Sequence, residues 1–364
     1  MKWQTLPGPA SFFDSVIQLL RNGTSVIVAA PDRTALRIED GICDLLNDDH
    51  WHVKRLIVTA QTDPLTLVTD GLYIEPDNWV QWSAERLCQE LDSNLVVVLQ
   101  GIEATAWETW RIFLKEFEVA SRQRPSDDRP LLLVVAKGIS PKHIQISGAA
   151  LEVRPWIGVL GELDTLIFVD QLLRSRNKPA KHHKLIVRQI SALALWDLDL
   201  ATYLAAQPEA ALFNAIEVLQ AARTQLDKDC SLKEARWENG GSDQIDGSEM
   251  AHPFVLVDKG DPERELKRRL WTAQAAELLP LIEIRRRELL RGLGRHLVCP
   301  FNLDGYSITS LEELEIGRLA YAVQKYKLKG ELRDRAELLA GCRNKLAHLT
   351  ALRSDEAMDS WMYA

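Results

Sequence analysis

Apolar residues in the first 160 positions gather into short unbroken runs instead of alternating ones. "TSVIVAA" (24–30), "VKRLIVTA" (53–60), "NLVVVLQ" (94–100) and "PLLLVVAK" (130–137) are β-rich and apolar on both faces, and "ALEVRPW" (150–156) is a shorter fifth run. Such runs predict strands of a parallel sheet covered on both sides. Between them the period lengthens. "RTALRIEDGICDLLND" places Leu36, Ile42 and Leu45 at helical spacing, and "WETWRIFLKEFEVASRQ" does so with Trp107, Trp110, Phe113, Leu114 and Phe117. Alternating strand and helix predict an α/β domain with right-handed crossovers over residues 1–160.

Beyond Gly161 the pattern turns helical. "ELDTLIFVDQLLRSR" and "HKLIVRQISALALWDLDLATYLAA" repeat apolar residues every three or four positions, which predicts a helical region over 161–236. "WENGGSDQIDGSEMAHP" is rich in Gly, Ser and Asp and lacks a period, so 237–260 is expected to be a linker. The region 261–364 is expected to be a four- or five-helix bundle, making the fold class α/β plus all-α. Its first helix has Asp261 as N-cap and Pro262 at the first helical position, with Pro280 as a point of kinking and Gly292 and Gly294 at its end. "TSLEELEIGRLAYAVQKY" predicts a second helix capped by Thr309 or Ser310, "GELRDRAELLAGCRNKLAHLTAL" a third, and "SDEAMDSWMYA" a short last one.

Composition narrows the classes. The chain has 364 residues, 46% hydrophobic and 26% charged, which is ordinary for a globular protein of two or three domains. The net charge of -8 argues against a protein that coats nucleic acid without specificity. Five scattered cysteines, without a Cys-x-x-Cys pair, predict neither a disulfide framework nor a zinc site. No apolar run is long enough to span a membrane and the first residues do not read as a signal peptide, so a cytoplasmic location is expected. Trp79/Trp82 and Trp107/Trp110 have helical spacing and are expected in the core. "KHHK" (181–184) reads as a solvated basic turn, because adjacent helical residues point about 100° apart and chelate poorly. "DQIDG" lacks the alternating acidic ligands of a calcium loop, and no metal is expected. The runs "KRR" (267–269) and "RRR" (285–287) read first as a solvated face and second as a surface that tracks phosphates.

The order of elements in the first 160 residues resembles the core of P-loop NTPases of the AAA+ kind. That resemblance implies G-x-x-x-x-G-K-[ST] after the first strand. The chain has "AAPDRTAL" there, without glycine, with Arg33-Thr34 where Lys-Thr would stand and Pro31 removing a backbone donor. It also implies an acidic pair at the end of a buried strand, where the chain offers Gln100 and Glu103 in "VVVLQGIE". A neutral amide is a poor magnesium ligand. The expectation is a domain that keeps the fold, has lost ATP hydrolysis, holds no cofactor, and serves to dock or regulate.

The third C-terminal helix carries the candidate chemistry. At about 100° per residue, Leu338, Leu339, Cys342, Leu346 and Leu349 form one apolar stripe. Asn344 points away from it, His348 shares the outward face with Asn344, and Arg343 lies on the flank, about 140° from His348. "RNKLAH" resembles the R-x4–6-H motif of the HEPN superfamily, including the polar residue after the arginine. The tyrosine found two residues after the histidine in one antitoxin-paired branch is replaced by Thr350. The resemblance implies a metal-independent endoribonuclease of a defence or toxin system, acting as a homodimer that brings two motifs together on RNA. His348 would transfer a proton, Arg343 would hold phosphate and Asn344 would support either, with Glu315 as a further candidate. The alternative is a non-enzymatic adaptor that binds partner proteins of a defence complex.

Overall fold

The computed structural model describes residues 3–34, 37–48, 51–59, 62–74, 82–146, 148–175, 181–226, 232, 234–257 and 262–364. Leu36, Trp79 and Asp261, named above, and one of the five cysteines, Cys230, lie outside the described residues. The chain forms two compact units. The first joins Met1–Asp164 to Cys230–Val255, and the second joins Thr165–Asp229 to Leu256–Ala364.

The first unit is built on a five-stranded sheet of order β2-β3-β4-β1-β5. The strands are β1 (Ser25–Ala30), β2 (His52–Ile57), β3 (Leu95–Glu103), β4 (Leu131–Lys137) and β5 (Leu151–Pro155), and every pairing is parallel. Central β1 is buried at every residue and β4 at all but its last. β2 departs from the expected burial on both faces: it pairs only with β3, buries Leu56 alone, and leaves Ile57 71% exposed. Edge position, not composition, sets that exposure. The helix Trp107–Arg122 buries Trp107, Trp110, Phe113, Leu114 and Phe117 in the core that includes Val97, Leu99, Leu132 and Val134. Burial of each such side chain stabilises by about 1.5–3 kcal/mol.

Residues 237–255 of the segment expected to be a linker belong to this unit. Strands β6 (Ser242–Ile245) and β7 (Ser248–Ala251) form an antiparallel hairpin closed by Asp246 at φ 50° and Gly247 at φ 77°. Two left-handed residues make the tight turn whose twist matches the strands, and Asp-Gly suits it. The Trp237 indole donates to the Trp156 carbonyl at 3.3 Å, and Phe254 and Val255 are fully buried. Polar composition hid this docking, because a short hairpin has too few residues to display a period.

The second unit is mainly helical. The helices Glu162–Arg174, whose first residues belong to the other unit, His183–Ala194, Leu198–Ala206 and Ala215–Leu226 precede the long helix Pro262–Leu293, followed by Ile316–Lys325, Glu331–Ala347 and Ser354–Ala357. A short hairpin, β8 (Phe301–Leu303) and β9 (Tyr306–Ile308), separates two of them. The helical region expected over 161–236 shares its core with the C-terminal helices, since Leu185 lies in one cluster with Leu278 and Ile282. Pro280 lies inside one continuous helix of 32 residues and does not divide it. Ser310 caps as expected, but it caps a 3-10 turn at Leu311–Glu313, closed reciprocally by Glu313, and the helix proper begins at Ile316. The last helix is preceded by Arg353 as its cap, with Ser354 as its first residue. Among the described residues no helix is long and apolar enough to cross a membrane.

Candidate functional site

The helix Glu331–Ala347 buries Ala336, Leu339, Cys342 and Leu346 and leaves Leu338 half-buried, as its apolar stripe predicts. Its end differs from the regular wheel. The last helical residue is Ala347, His348 is the cap at φ -98° and ψ 25°, and Leu349 follows at φ 57°. The Thr350 N–H returns to the Lys345 carbonyl at 2.9 Å, and the Leu349 N–H to that of Leu346 at 3.3 Å. This is a Schellman closure with leucine where glycine is usual. Leu349 therefore leaves the apolar stripe and stands 66% exposed.

Side chains of the long helix hold this closure from below. The Trp271 indole N–H donates to the Leu346 carbonyl at 2.6 Å. The fully buried Gln274 amide accepts from the Leu352 N–H at 2.6 Å and donates to the Leu352 carbonyl at 3.1 Å. Lys345 pairs with Glu356, whose carboxylate also accepts the Arg353 N–H at 3.1 Å. The turn carrying His348 is thus anchored on both sides. Neither Trp271 nor Gln274 was legible as a support, because an anchor distant in sequence has no local signature.

Arg343, Asn344 and His348 are all exposed. The Arg343 guanidinium meets the Asn344 carboxamide oxygen at 3.4 Å, a long contact. His348 reaches Asn344 only through the main chain, its N–H donating to the Asn344 carbonyl at 3.0 Å. Among the described residues no hydrogen bond or ion pair joins the imidazole to Arg343. Glu315 precedes the helix Ile316–Lys325, where its charge acts on Arg286, and no contact ties it to the motif.

The basic runs are mostly neutralised by their own helix. Lys267 pairs with Glu263, Arg268 and Arg269 with Glu265, and Arg286 with Glu283. Arg285 takes both Glu288 oxygens at 2.8 and 2.7 Å and donates to the Met362 carbonyl at 3.0 Å. Arg269 and Arg285 are buried, so neither run is the continuous solvated face expected, and little of either is free for phosphate. The two histidines of "KHHK" are also not solvated. His183 meets Asp170 at 2.7 Å, His182 meets Glu209 at 3.2 Å, and the His182 ring packs edge-on against Tyr363 at 4.6 Å. They face different carboxylates, as divergent neighbours must, and no metal-binding group of three or more ligands occurs among the described residues.

In the first unit a crevice of about 240 Å³ opens at the carboxyl ends of β1, β3 and β4, lined by Asp32, Glu103, Thr105, Lys137, Glu238 and Asn239. Open α/β sheets bind ligands at this edge. Here two backbone donors of the loop after β1, those of Asp32 and Thr34, are occupied. The Asp32 N–H goes to the Glu238 carbonyl at 2.7 Å, the Thr34 N–H to the Asp32 carbonyl at 3.2 Å, and the Arg33 guanidinium lies 5.1 Å from the Phe254 ring centroid. Gly240 packs so closely that an added Cβ would stand 2.7 Å from the Arg33 carbonyl oxygen. A bulge at Gly101, φ 84°, pairs Glu103 with Lys137 across the strands.

No protein-family model matches the chain, and no curated protein matches it either.

Proposed function

We propose that the chain is a metal-independent endoribonuclease effector of a defence or toxin-type system, with Arg343, Asn344 and His348 as its catalytic residues. The observation that carries this reading is the exposure of all three at an anchored helix end closed by a left-handed leucine. Strained backbone and an exposed apolar side chain beside exposed polar groups are features of sites covered by another molecule.

In this reading the His348 imidazole accepts the proton of a ribose 2′-OH as that oxygen attacks the adjacent phosphorus. The leaving 5′-oxygen takes its proton from a solvent water, whose hydroxide the His348 imidazolium then neutralises, giving a 2′,3′-cyclic phosphate and a 5′-OH. Arg343 holds the non-bridging oxygens through a permanently charged fork. Arg343 and His348 lie about 140° apart on the wheel, so a homodimer combining Arg343 of one copy with His348 of the other fits better than one copy alone. The first unit would regulate or recruit; the occupied Asp32 and Thr34 N–H groups of its β1 loop support a role without ATP hydrolysis.

Purified chain is expected to cut labelled RNA in EDTA, and His348→Ala and Arg343→Ala are each expected to abolish cutting. Mixing the two inactive variants should restore about a quarter of the activity, because half of randomly mixed dimers regain one of two sites. No cleavage by the native chain, with a stable complex to a partner protein, would favour the second reading, a non-enzymatic adaptor. The exposed Leu349 is the observation that favours it.

A further inference from the structure

Three of the chain's six tyrosines, Tyr306, Tyr321 and Tyr326, fall in one short stretch of the second unit, and all are exposed. They share one surface. Tyr306 lies on β9, and the Arg318 guanidinium stands 5.4 Å from its ring centroid. Arg318, Tyr321 and Lys325 follow at i, i+3 and i+7 on the helix Ile316–Lys325, so they line one side of it. The Tyr326 hydroxyl donates to the Asn302 carbonyl at 2.7 Å, which ties the β8–β9 hairpin to the helix end. Nothing within 4 Å would meet a Cβ at Gly305 or Gly317, so the surface around the rings is open.

The cations here are placed differently from those of the long helix, which carboxylates neutralise. Lys325 is held by Asp304 at 2.7 Å, and Asp304 is the carboxylate among these residues. Arg318, Lys327 and Lys329 are exposed and make no ion pair among the described residues. Uncompensated cations between exposed aromatic rings suit a strand whose phosphates meet the charges and whose unpaired bases stack on the rings. Duplex RNA offers no free base faces to such rings.

We infer that the surface of Tyr306, Tyr321, Arg318, Lys327 and Lys329 binds single-stranded RNA. This rests on the ribonuclease reading for its biological sense, but the binding is measured without cleavage. The full chain carrying His348→Ala is titrated into fluorescein-labelled oligouridine, and anisotropy is followed against duplex RNA and poly-glutamate. Tyr306→Ala with Tyr321→Ala is expected to weaken oligouridine binding about tenfold or more, and Tyr306→Phe with Tyr321→Phe to retain it. Lys327→Gln with Lys329→Gln should flatten the slope of log affinity against log salt by about 1.4. Far-UV circular dichroism and a thermal melt unchanged from the parent chain identify the loss as one of surface chemistry. Unchanged affinity in the tyrosine-to-alanine pair, or equal binding of duplex RNA or poly-glutamate, overturns the inference. Patch-dependent binding by a native chain that never cuts RNA would leave it standing and remove the ribonuclease reading instead.

Discussion

Leu349 occupies a position that most helices with this closure give to glycine. At φ 57° its Cβ crowds the following carbonyl, and its side chain, 66% exposed, recovers little by packing. Leu349→Gly removes the crowding and adds freedom to the unfolded chain, two effects of opposite sign. The first is larger at a left-handed site, so the variant should be more stable by about 0.5–1 kcal/mol in urea unfolding. An unchanged or lower stability would show that the leucine side chain contributes to the isolated fold and is not reserved for another surface. The regular wheel could not reveal this, because it continues a helix that the Schellman closure ends. It did place Arg343, Asn344 and His348 on the outside, since the buried stripe Ala336, Leu339, Cys342 and Leu346 dictates what faces away.

Hairpins are the elements least legible here, although both carried a readable signal. "QIDGS" and "NLDGYS" each set Asp-Gly between short strands, and both turns use two left-handed residues, Asp246-Gly247 and Asp304-Gly305. The strands are only three or four residues long, too short for alternation to register, so composition dominated the reading. The long parallel strands were legible because burial on both faces leaves an unbroken apolar run. The first hairpin carries a pH-dependent term. Asp243 accepts the Gly158 and Gln244 N–H groups at 2.9 and 2.8 Å, yet burial outweighs those bonds and pushes its carboxyl up to about 6 from 3.8. The folded state therefore holds the proton more tightly than the unfolded one. Its stabilising effect is complete below about pH 3.8 and is lost as pH rises to about 6. Asp243→Asn keeps an acceptor for both N–H groups without the buried charge. It should raise stability at pH 7.5 by about 1 kcal/mol, with no gain at pH 3.5, as read by urea unfolding monitored by tryptophan fluorescence.

At the scale of the whole molecule, both units are assembled from two separated stretches of chain, and this is the level at which local pattern carries least information. Periodicity identifies elements, but it does not say which elements share a core. Residues 161–236 read as one helical region and 261–364 as another, yet Leu185 lies in the core of the long helix and Arg188 pairs with Glu277. Residues 1–160 read as a complete α/β domain, yet Asp32, Trp156 and Gly158 make hydrogen bonds to the segment 237–243. A fragment cut after residue 160 loses these partners and the contact of Arg33 with the Phe254 ring. Small domains are marginally stable, so losing several kcal/mol of burial and hydrogen bonding is enough to unfold one. Residues 1–160 alone should show no cooperative thermal transition, and neither should 262–364 alone. Residues 1–164 joined through a short flexible linker to 230–255 should melt cooperatively, because that fusion restores the first unit in full. A cooperative melt from the 1–160 fragment would mean that the β6–β7 hairpin decorates the sheet domain without completing it. A non-cooperative fusion would mean that the first unit depends on more of the chain than its own contacts indicate.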